Sequence, residues 1–180
     1  MTTFAIYTDI ILTDKPEWLD AYRNAHNQIK YDDHVTLVQS RKISEEDVER
    51  INNTLTDFFK STPFQQIPVI FDRIDIDESG VEDNDGCILV LTDNKDIFEL
   101  QKSLVSLLTK YNDYAAPKTE LYEKDFRPHI TIVDNLNKER FNIAKADLRQ
   151  DVVVKGIITK VILGVVCDGE KREFIFGLRS

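Results

Sequence analysis

The chain has few of the residues that build metal centres or disulfide frameworks. Its 180 residues include two cysteines, three histidines, six glycines and five prolines. Cys87 and Cys167 do not form a Cys-x-x-Cys pair, so we expect buried, reduced thiols rather than a disulfide or a metal role. No Pro-, Gly- or Ser-rich tract divides the chain into independent units. We therefore predict one domain over residues 1–180, with no cofactor.

Long apolar runs are also absent. The first 12 residues have no basic start and carry Asp9 inside their apolar stretch, which is unlike a signal peptide. No segment approaches the length of a membrane span. We expect a cytoplasmic protein with no membrane partner. The sequence does not determine the oligomeric state, although we favour a monomer.

Positive charge is scarce. Lysine and arginine total 23 against 32 aspartates and glutamates, which gives a formal net charge of −9. An acidic surface repels a long polyanion, so we expect no extended nucleic-acid binding. A small phosphate-bearing ligand in a locally basic cleft is compatible with this charge. The hydrophobic content of 42% is that of a globular protein.

A short motif occurs twice and includes two of the three histidines. His-Val-Thr-Leu-Val spans 34–38, and His-Ile-Thr-Ile-Val spans 129–133. In a β-strand, His and Thr of each motif would share one face, while the apolar residues between them would anchor the other face. Chance repetition of such a pattern is on the order of one in a thousand or rarer. His26 has no motif around it, and we expect it to pack against neighbours or to be partly exposed.

The apolar pattern around each motif has the same order. We predict a strand at 4–12, a helix from Pro16, the first motif strand, a helix at 44–60 and a strand at 67–76. The same order of elements recurs from residue 87 to residue 166. A hairpin turn at Asp168-Gly169 leads to a last strand at 172–178. The polar segment 112–126 is either a mobile rim over a cleft or an ordinary surface connection. This order predicts a duplicated α+β unit.

Two histidines and two threonines suit phosphodiester cleavage. In-line attack at phosphorus needs one proton removed and another delivered, and imidazole can do both near neutral pH. His34 and His129 are therefore the candidate catalytic residues. The hydroxyls of Thr36 and Thr131 can donate hydrogen bonds to the non-bridging phosphate oxygens.

Two His-x-Thr strands, one in each half of a chain of this size, resemble the 2H phosphoesterase superfamily. That group includes RNA 2′,3′-cyclic phosphodiesterases and proteins called 2′-5′ RNA ligases. The resemblance implies two pseudo-symmetric lobes whose antiparallel sheets line a central cleft, with helices outside. It also implies that His129 activates water and that His34 protonates the leaving ribose oxygen.

The chain departs from one branch of that superfamily. Bacterial RNA-ligase-like members carry an arginine a few residues after the second motif, whereas this chain has Val-Asp-Asn at 133–135. Arg127, Arg41 and Lys42 are substitute cations, although solvation at the surface is the expected role of each. Arg127 and Tyr7 are further substrate-binding candidates, since a tyrosine ring can also stack on a base.

These observations predict a metal-independent phosphodiesterase acting on a small nucleotide or an RNA end, with a 2′,3′-cyclic phosphate as the leading substrate. Hydrolysis of 2′-5′ oligoadenylates or of cyclic oligonucleotide signals is an alternative. A non-catalytic nucleotide-binding module is another, but binding alone would not require two proton carriers. A histidine metal site ranks last, because catalytic zinc usually has three protein ligands.

Overall fold

The fold is α+β and consists of two antiparallel sheets with helices packed against them. A computed structural model describes residues 1–26, 32–62 and 64–180. The strands are β1 (Thr2–Asp14), β2 (Thr36–Ile43), β3 (Ile67–Phe71), β4 (Arg73–Asp77), β5 (Gly86–Leu91), β6 (His129–Leu136), β7 (Val154–Cys167) and β8 (Glu170–Gly177). The α-helices are α1 (Trp18–His26), α2 (Glu45–Ser61), α3 (Lys95–Leu107), α4 (Pro117–Lys124) and α5 (Lys138–Asp147), and a short 3-10 helix spans Val81–Asp83.

The larger sheet has the order β2-β1-β7-β3, and β8 also pairs with β7. On the side away from β1, the long strand β7 pairs with two other strands. Its first residues pair with β3 and its later residues pair with β8. The smaller sheet has the order β4-β5-β6. All six pairs of neighbouring strands in the described part of the chain are antiparallel, which confirms the predicted fold class.

Each half of the chain contributes a strand to the other half's sheet. β7 comes from the second half but lies beside β1, and β4 comes from the first half but lies beside β5. The order β2-β1-β7 therefore matches β6-β5-β4. The single strand predicted at 67–76 is wrong, because the chain leaves the larger sheet after Phe71. The Asp72 amide then donates to the Leu91 carbonyl at 3.1 Å, which starts pairing with β5. The matching strand orders favour the predicted single domain of two pseudo-symmetric lobes, which stays a prediction.

The segment 112–126, predicted as a mobile rim or an ordinary surface connection, contains helix α4, which the apolar pattern did not indicate. The residues before α4 lie along the free edge of β2. The Lys42 amide donates to the Asp113 carbonyl at 2.6 Å, and the Ala115 amide donates to the Ser40 carbonyl at 2.9 Å. Backbone pairing thus attaches the segment to the strand that carries Thr36.

Alternating burial explains why these segments form strands around one core. In β1, every second side chain from Thr2 to Ile10 is buried. The helices add apolar faces, such as Val48, Ile51 and Leu55 on α2. The predicted turn is present, because Asp168 and Gly169 both have positive φ between β7 and β8. None of the described helices is long and apolar enough to cross a membrane.

Candidate active site

The two His-x-Thr segments have the same local geometry. In each, two successive pairs of opposed residues are two residues apart on the motif strand but only one residue apart on its partner strand. Thr36 and Val38 oppose Tyr7 and Ile6, which follow one another on β1. The same irregularity occurs in β6, where Thr131 and Val133 oppose Leu89 and Ile88. Both strands therefore contain a β-bulge directly after the threonine.

The bulges change which side chains face the site. After each threonine, two successive residues are buried, namely Leu37 with Val38 and Ile132 with Val133. Gln39 and Asp134, which follow them, are then half-buried like the motif His and Thr. Strict alternation would have placed the two valines there instead. The bulges return Gln39 and Asp134 to the side of each strand that carries the His and Thr residues.

Both motif histidines are held in the same way. Nδ1 of His34 lies 2.8 Å from the carbonyl oxygen of Asp32, and Nδ1 of His129 lies 2.7 Å from the carbonyl oxygen of Arg127. A carbonyl oxygen can only accept, so Nδ1 carries a proton in both rings. In the neutral rings, Nε2 then has a free lone pair and can exchange a proton.

His129 and His34 differ in their surroundings. Burial lowers the pKa of His129, and the positive charges of Arg127 and His34 act in the same direction. The Arg127 carbonyl and the Asp75 carboxylate oppose this shift. His129 is therefore mostly neutral at pH 7. The charge of His34 acts on the pKa of both His129 and Asp134, as expected if the two motif segments border one site.

Tyr7 packs against His34, with ring centroids 5.5 Å apart and an interplanar angle of 64°. Its hydroxyl donates to Glu173 at 2.6 Å, and burial raises its pKa. The ring crosses Gly164, where a Cβ would lie 2.8 Å from Tyr7 Cε1, so any larger residue would displace it. A pocket of about 540 Å³ opens beside the His34 and Tyr7 rings, and Lys160 also lines it.

The candidate cations are paired with carboxylates. Arg127 forms an ion pair with Asp75 and lines a pocket of about 290 Å³. Arg41 was predicted at the surface, and this is wrong, since it is 1% exposed and pairs with Glu123. Lys42 lies 4.0 Å from Asp113 at the surface. Burial removes Arg41 from the site, whereas Arg127 remains a candidate for contact with substrate.

The smaller sheet carries an acidic cluster next to the second motif. Burial raises the pKa of Asp134, Asp85 acts in the same direction, and the charge of His34 opposes them. Burial also raises the pKa of Cys87 to about 12, with Asp77, Asp85 and Asp134 among the contributing charges. Both cysteines are free, as predicted. They are half-buried, whereas the prediction had them buried. Within residues 1–26, 32–62 and 64–180, no three His, Cys, Asp or Glu side chains are arranged to hold a metal ion.

Each motif strand lies at the edge of its sheet, and a charged side chain from a helix covers that edge. On α1, Arg23 donates to the carbonyl of Thr131 at 3.2 Å and pairs with Asp33 at 2.6 Å. On α4, Glu123 accepts from the amide of Gln39 at 3.1 Å. Sequence reasoning missed these residues, although Arg23 shares a helical face with the apolar Leu19.

His26 packs as predicted. It is 9% exposed, its Nε2 lies 3.3 Å from Asp147, and its ring centroid lies 4.7 Å from that of Tyr22. Asp147 ends α5 and Tyr22 lies on α1 itself, whereas His34 and His129 contact the carbonyls of Asp32 and Arg127. His26 therefore has a packing role.

Comparison with known proteins identifies the fold. No protein-family model and no curated protein sequence matches the chain. Among solved structures, Escherichia coli LigT in complex with 3′-AMP is 13% identical with a TM-score of 0.60, covering 99% of this chain and 98% of LigT. LigT in complex with ATP is also 13% identical, with a TM-score of 0.58 and 99% of each chain covered. Usb1 from Kluyveromyces marxianus is 10% identical, with a TM-score of 0.59 and 98% of each chain covered.

This likeness shows that the chain shares the fold of LigT and Usb1 over nearly its whole length. The resemblance drawn from the two His-x-Thr motifs is thereby confirmed at the level of the fold.

Proposed function

We propose that the chain is a metal-independent phosphodiesterase that hydrolyses a small nucleotide or an RNA-end phosphodiester, with a 2′,3′-cyclic phosphate as its leading substrate. One observation carries the proposal. Both motif histidines use Nδ1 to contact a backbone carbonyl two residues earlier, which leaves Nε2 of each ring as a proton carrier. A site that only bound phosphate would not need two imidazoles held in this way.

His129 is suited to be the base and His34 to be the acid. Burial lowers the pKa of His129, so its Nε2 is unprotonated near neutral pH and can accept a proton from water. His34 would protonate the leaving ribose oxygen. Thr36 and Thr131 would donate hydrogen bonds to the non-bridging oxygens, where negative charge increases in the transition state. Arg127 and Tyr7 remain substrate-binding candidates at the rims of the two pockets.

A substrate panel tests the proposal. Purified protein is incubated with 2′,3′-cyclic nucleotides, RNAs ending in a cyclic phosphate, 2′-5′ oligoadenylates and cyclic oligonucleotides, and products are identified by mass. We expect hydrolysis of a cyclic phosphate, with activity retained after chelator treatment. Turnover of 2′-5′ or cyclic oligonucleotides alone would favour the alternative substrates. Binding of nucleotide without any turnover would favour a binding module. Loss of activity with EDTA that zinc restores would contradict the metal-independent mechanism.

The pH profile should report the lowered pKa of His129. If neutral His129 is the base, kcat/KM should rise with pH through a midpoint below about 6.5, the ordinary pKa of histidine. Arg127→Gln removes a positive charge and leaves Asp75 unpaired, and both changes favour protonated His129. The midpoint should therefore move to higher pH in Arg127→Gln. An unchanged midpoint would contradict the assignment of this limb to His129.

The same lowered pKa also affects stability. The unfolded chain binds a proton at this residue more readily than the folded chain does, so stability should fall as pH drops below about 6.5. His129→Gln lacks the titrating group and should show a weaker pH dependence of the free energy of unfolding over that range. Unfolding at pH 5 to 7 measures the difference.

We expect the protein to bind the end of an RNA or a small ligand, and not to contact a long stretch of a strand. The net charge of −9, and the pairing of Lys160 with Asp9 and of Lys171 with Glu173, leave little free positive charge beside His34. Few phosphate contacts predict a slope of log affinity against log salt of about −1 to −3, the same for short and long oligonucleotides. The measurement is kcat/KM for a length series at two salt concentrations. Efficiency and slope that both increase with length would contradict this prediction.

A further inference from the structure

We propose that Arg23 is a positioning residue that holds the two His-x-Thr segments in register across the site. Its guanidinium connects the chain directly before His34 with strand β6, which carries His129 and Thr131. The inference rests on the proposed function, since it assigns a role in the same reaction. We refer to Arg23, the Asp33 carboxylate and the Thr131 carbonyl together as the cross-sheet bridge.

The cross-sheet bridge consists of three hydrogen bonds donated by Arg23. Arg23 Nη2 lies 2.6 Å from Asp33 Oδ1, and Nη1 lies 3.3 Å from Asp33 Oδ2. The same Nη2 donates to the Thr131 carbonyl at 3.2 Å. The exposed fractions of the Arg23 and Asp33 side chains are 17% and 16%, so water screens this pair less than it screens a surface pair. A guanidinium can donate to a carboxylate and to a carbonyl at the same time, because its five N–H groups are held in one plane and point outwards.

Both ends of the bridge are adjacent to groups assigned to the chemistry. Asp33 precedes His34, and its neighbour Asp32 supplies the carbonyl that contacts Nδ1 of His34. The Asp33 carbonyl also accepts from the Ile10 amide at 3.2 Å, which ties this segment to β1. At the other end, the bridge holds the backbone of Thr131 itself. Arg23 thus sets the position of His34 relative to Thr131 without being placed in contact with the reacting phosphate.

The bridge crosses between the two sheets. His34 and β2 belong to the edge of the larger sheet, whereas β6 is the edge of the smaller sheet. No strand pairing joins β2 to β6 in the described residues, so the cross-sheet bridge adds a direct polar link between the two motif segments. In-line chemistry is sensitive to this distance, because a misplacement of about 1 Å can cost about 100-fold in rate.

The test compares kcat and KM for a set of variants of the whole chain. Arg23→Ala should lower kcat by about 10- to 100-fold, with KM changed by less than about threefold, because the two segments lose register while the phosphate contacts remain. Arg23→Lys keeps the charge but lacks the planar fork, so it should recover part of the loss. Asp33→Asn should show a smaller decrease than Arg23→Ala. Arg50→Ala, on the exposed face of α2, is the matched control and should behave like the wild type.

Non-additivity would show that Arg23 and Asp33 act together. The double variant Arg23→Ala/Asp33→Asn should be no slower than Arg23→Ala, because the asparagine leaves no unpaired carboxylate. Each variant is assayed well below its melting temperature, so that unfolding does not enter kcat. If Arg23→Ala does not fold, Arg23→Lys and Asp33→Asn still carry the comparison. Wild-type kcat in the Arg23 variants, or a loss confined to KM, would overturn the positioning role.

A second measurement separates this inference from the proposed function. The imidazole ¹⁵N signals of His34 report which ring nitrogen carries the proton, and they do not require turnover. We expect the Nδ1–H form in the wild type and a mixture of the two forms in Arg23→Ala. Unchanged signals, together with wild-type kcat, would reject the bridge but leave the phosphodiesterase proposal intact. Altered signals in a protein that hydrolyses no substrate would reject the enzyme proposal alone.

Discussion

Replacement of either motif histidine by alanine is expected to lower kcat by about 10²- to 10⁴-fold or more, because each ring is assigned a proton transfer. Both rings are half-buried rather than part of the apolar core, so the variants should remain folded. Thr36→Ala and Thr131→Ala should slow the reaction by about 10- to 1,000-fold, since each removes a donor to the transition state. The measurement is steady-state kinetics on the substrate that the panel identifies.

His26→Ala is the matched control, as it removes the third histidine of the chain. Its contacts with Asp147 and Tyr22 belong to packing, so the melting temperature should fall while kcat stays near the wild-type value. Wild-type-like rates in both His34→Ala and His129→Ala would refute the two-histidine mechanism. A large loss of kcat in His26→Ala would instead show that the site includes a residue which the geometry does not connect to it.

Loss of the buried Arg41–Glu123 pair should have the largest effect on stability. Glu123→Ala leaves a guanidinium without its carboxylate in a position that is 1% exposed. Removing one partner of a buried ion pair typically costs about 3–5 kcal/mol in free energy of unfolding. Arg41 would keep its contacts with the carbonyls of Leu108 and Tyr111, at 3.0 and 2.6 Å, which do not neutralise its charge. Chemical denaturation measures the difference.

The double variant Arg41→Met/Glu123→Leu tests whether the penalty comes from the unpaired charge. Replacing both partners by apolar residues of similar size removes the buried charges together, so the double variant should be more stable than Glu123→Ala. The Tyr114 hydroxyl and the Gln39 amide also lose their acceptor, so recovery should be incomplete. A double variant that is less stable than the single variant would show that the hydrogen bonds from Arg41 to the Leu108 and Tyr111 carbonyls outweigh the penalty of its unpaired charge.

The sequence was sufficient for the fold class and for the motif residues because both depend on local patterns. Alternating and helical apolar spacing is a property of neighbouring residues, and it located most of the elements. The repeated His-x-Thr motif located four polar side chains in two similar segments, although His34 lies just before β2 whereas His129 begins β6. The matching Nδ1 contacts of His34 and His129 extend that equivalence, since each is made within its own segment.

Tertiary structure alone decided the features that join distant parts of the chain. The burial of Arg41 depends on Glu123, 82 positions away, and Arg23 reaches the Thr131 carbonyl across 108 positions. No local pattern encodes such partners, and a charged residue on a strand or helix is expected at the surface until a partner is known. The two bulges likewise follow from pairing with β1 and β5. They put Gln39 and Asp134, instead of two valines, on the side of the site, because the strand register is fixed only when the sheets assemble.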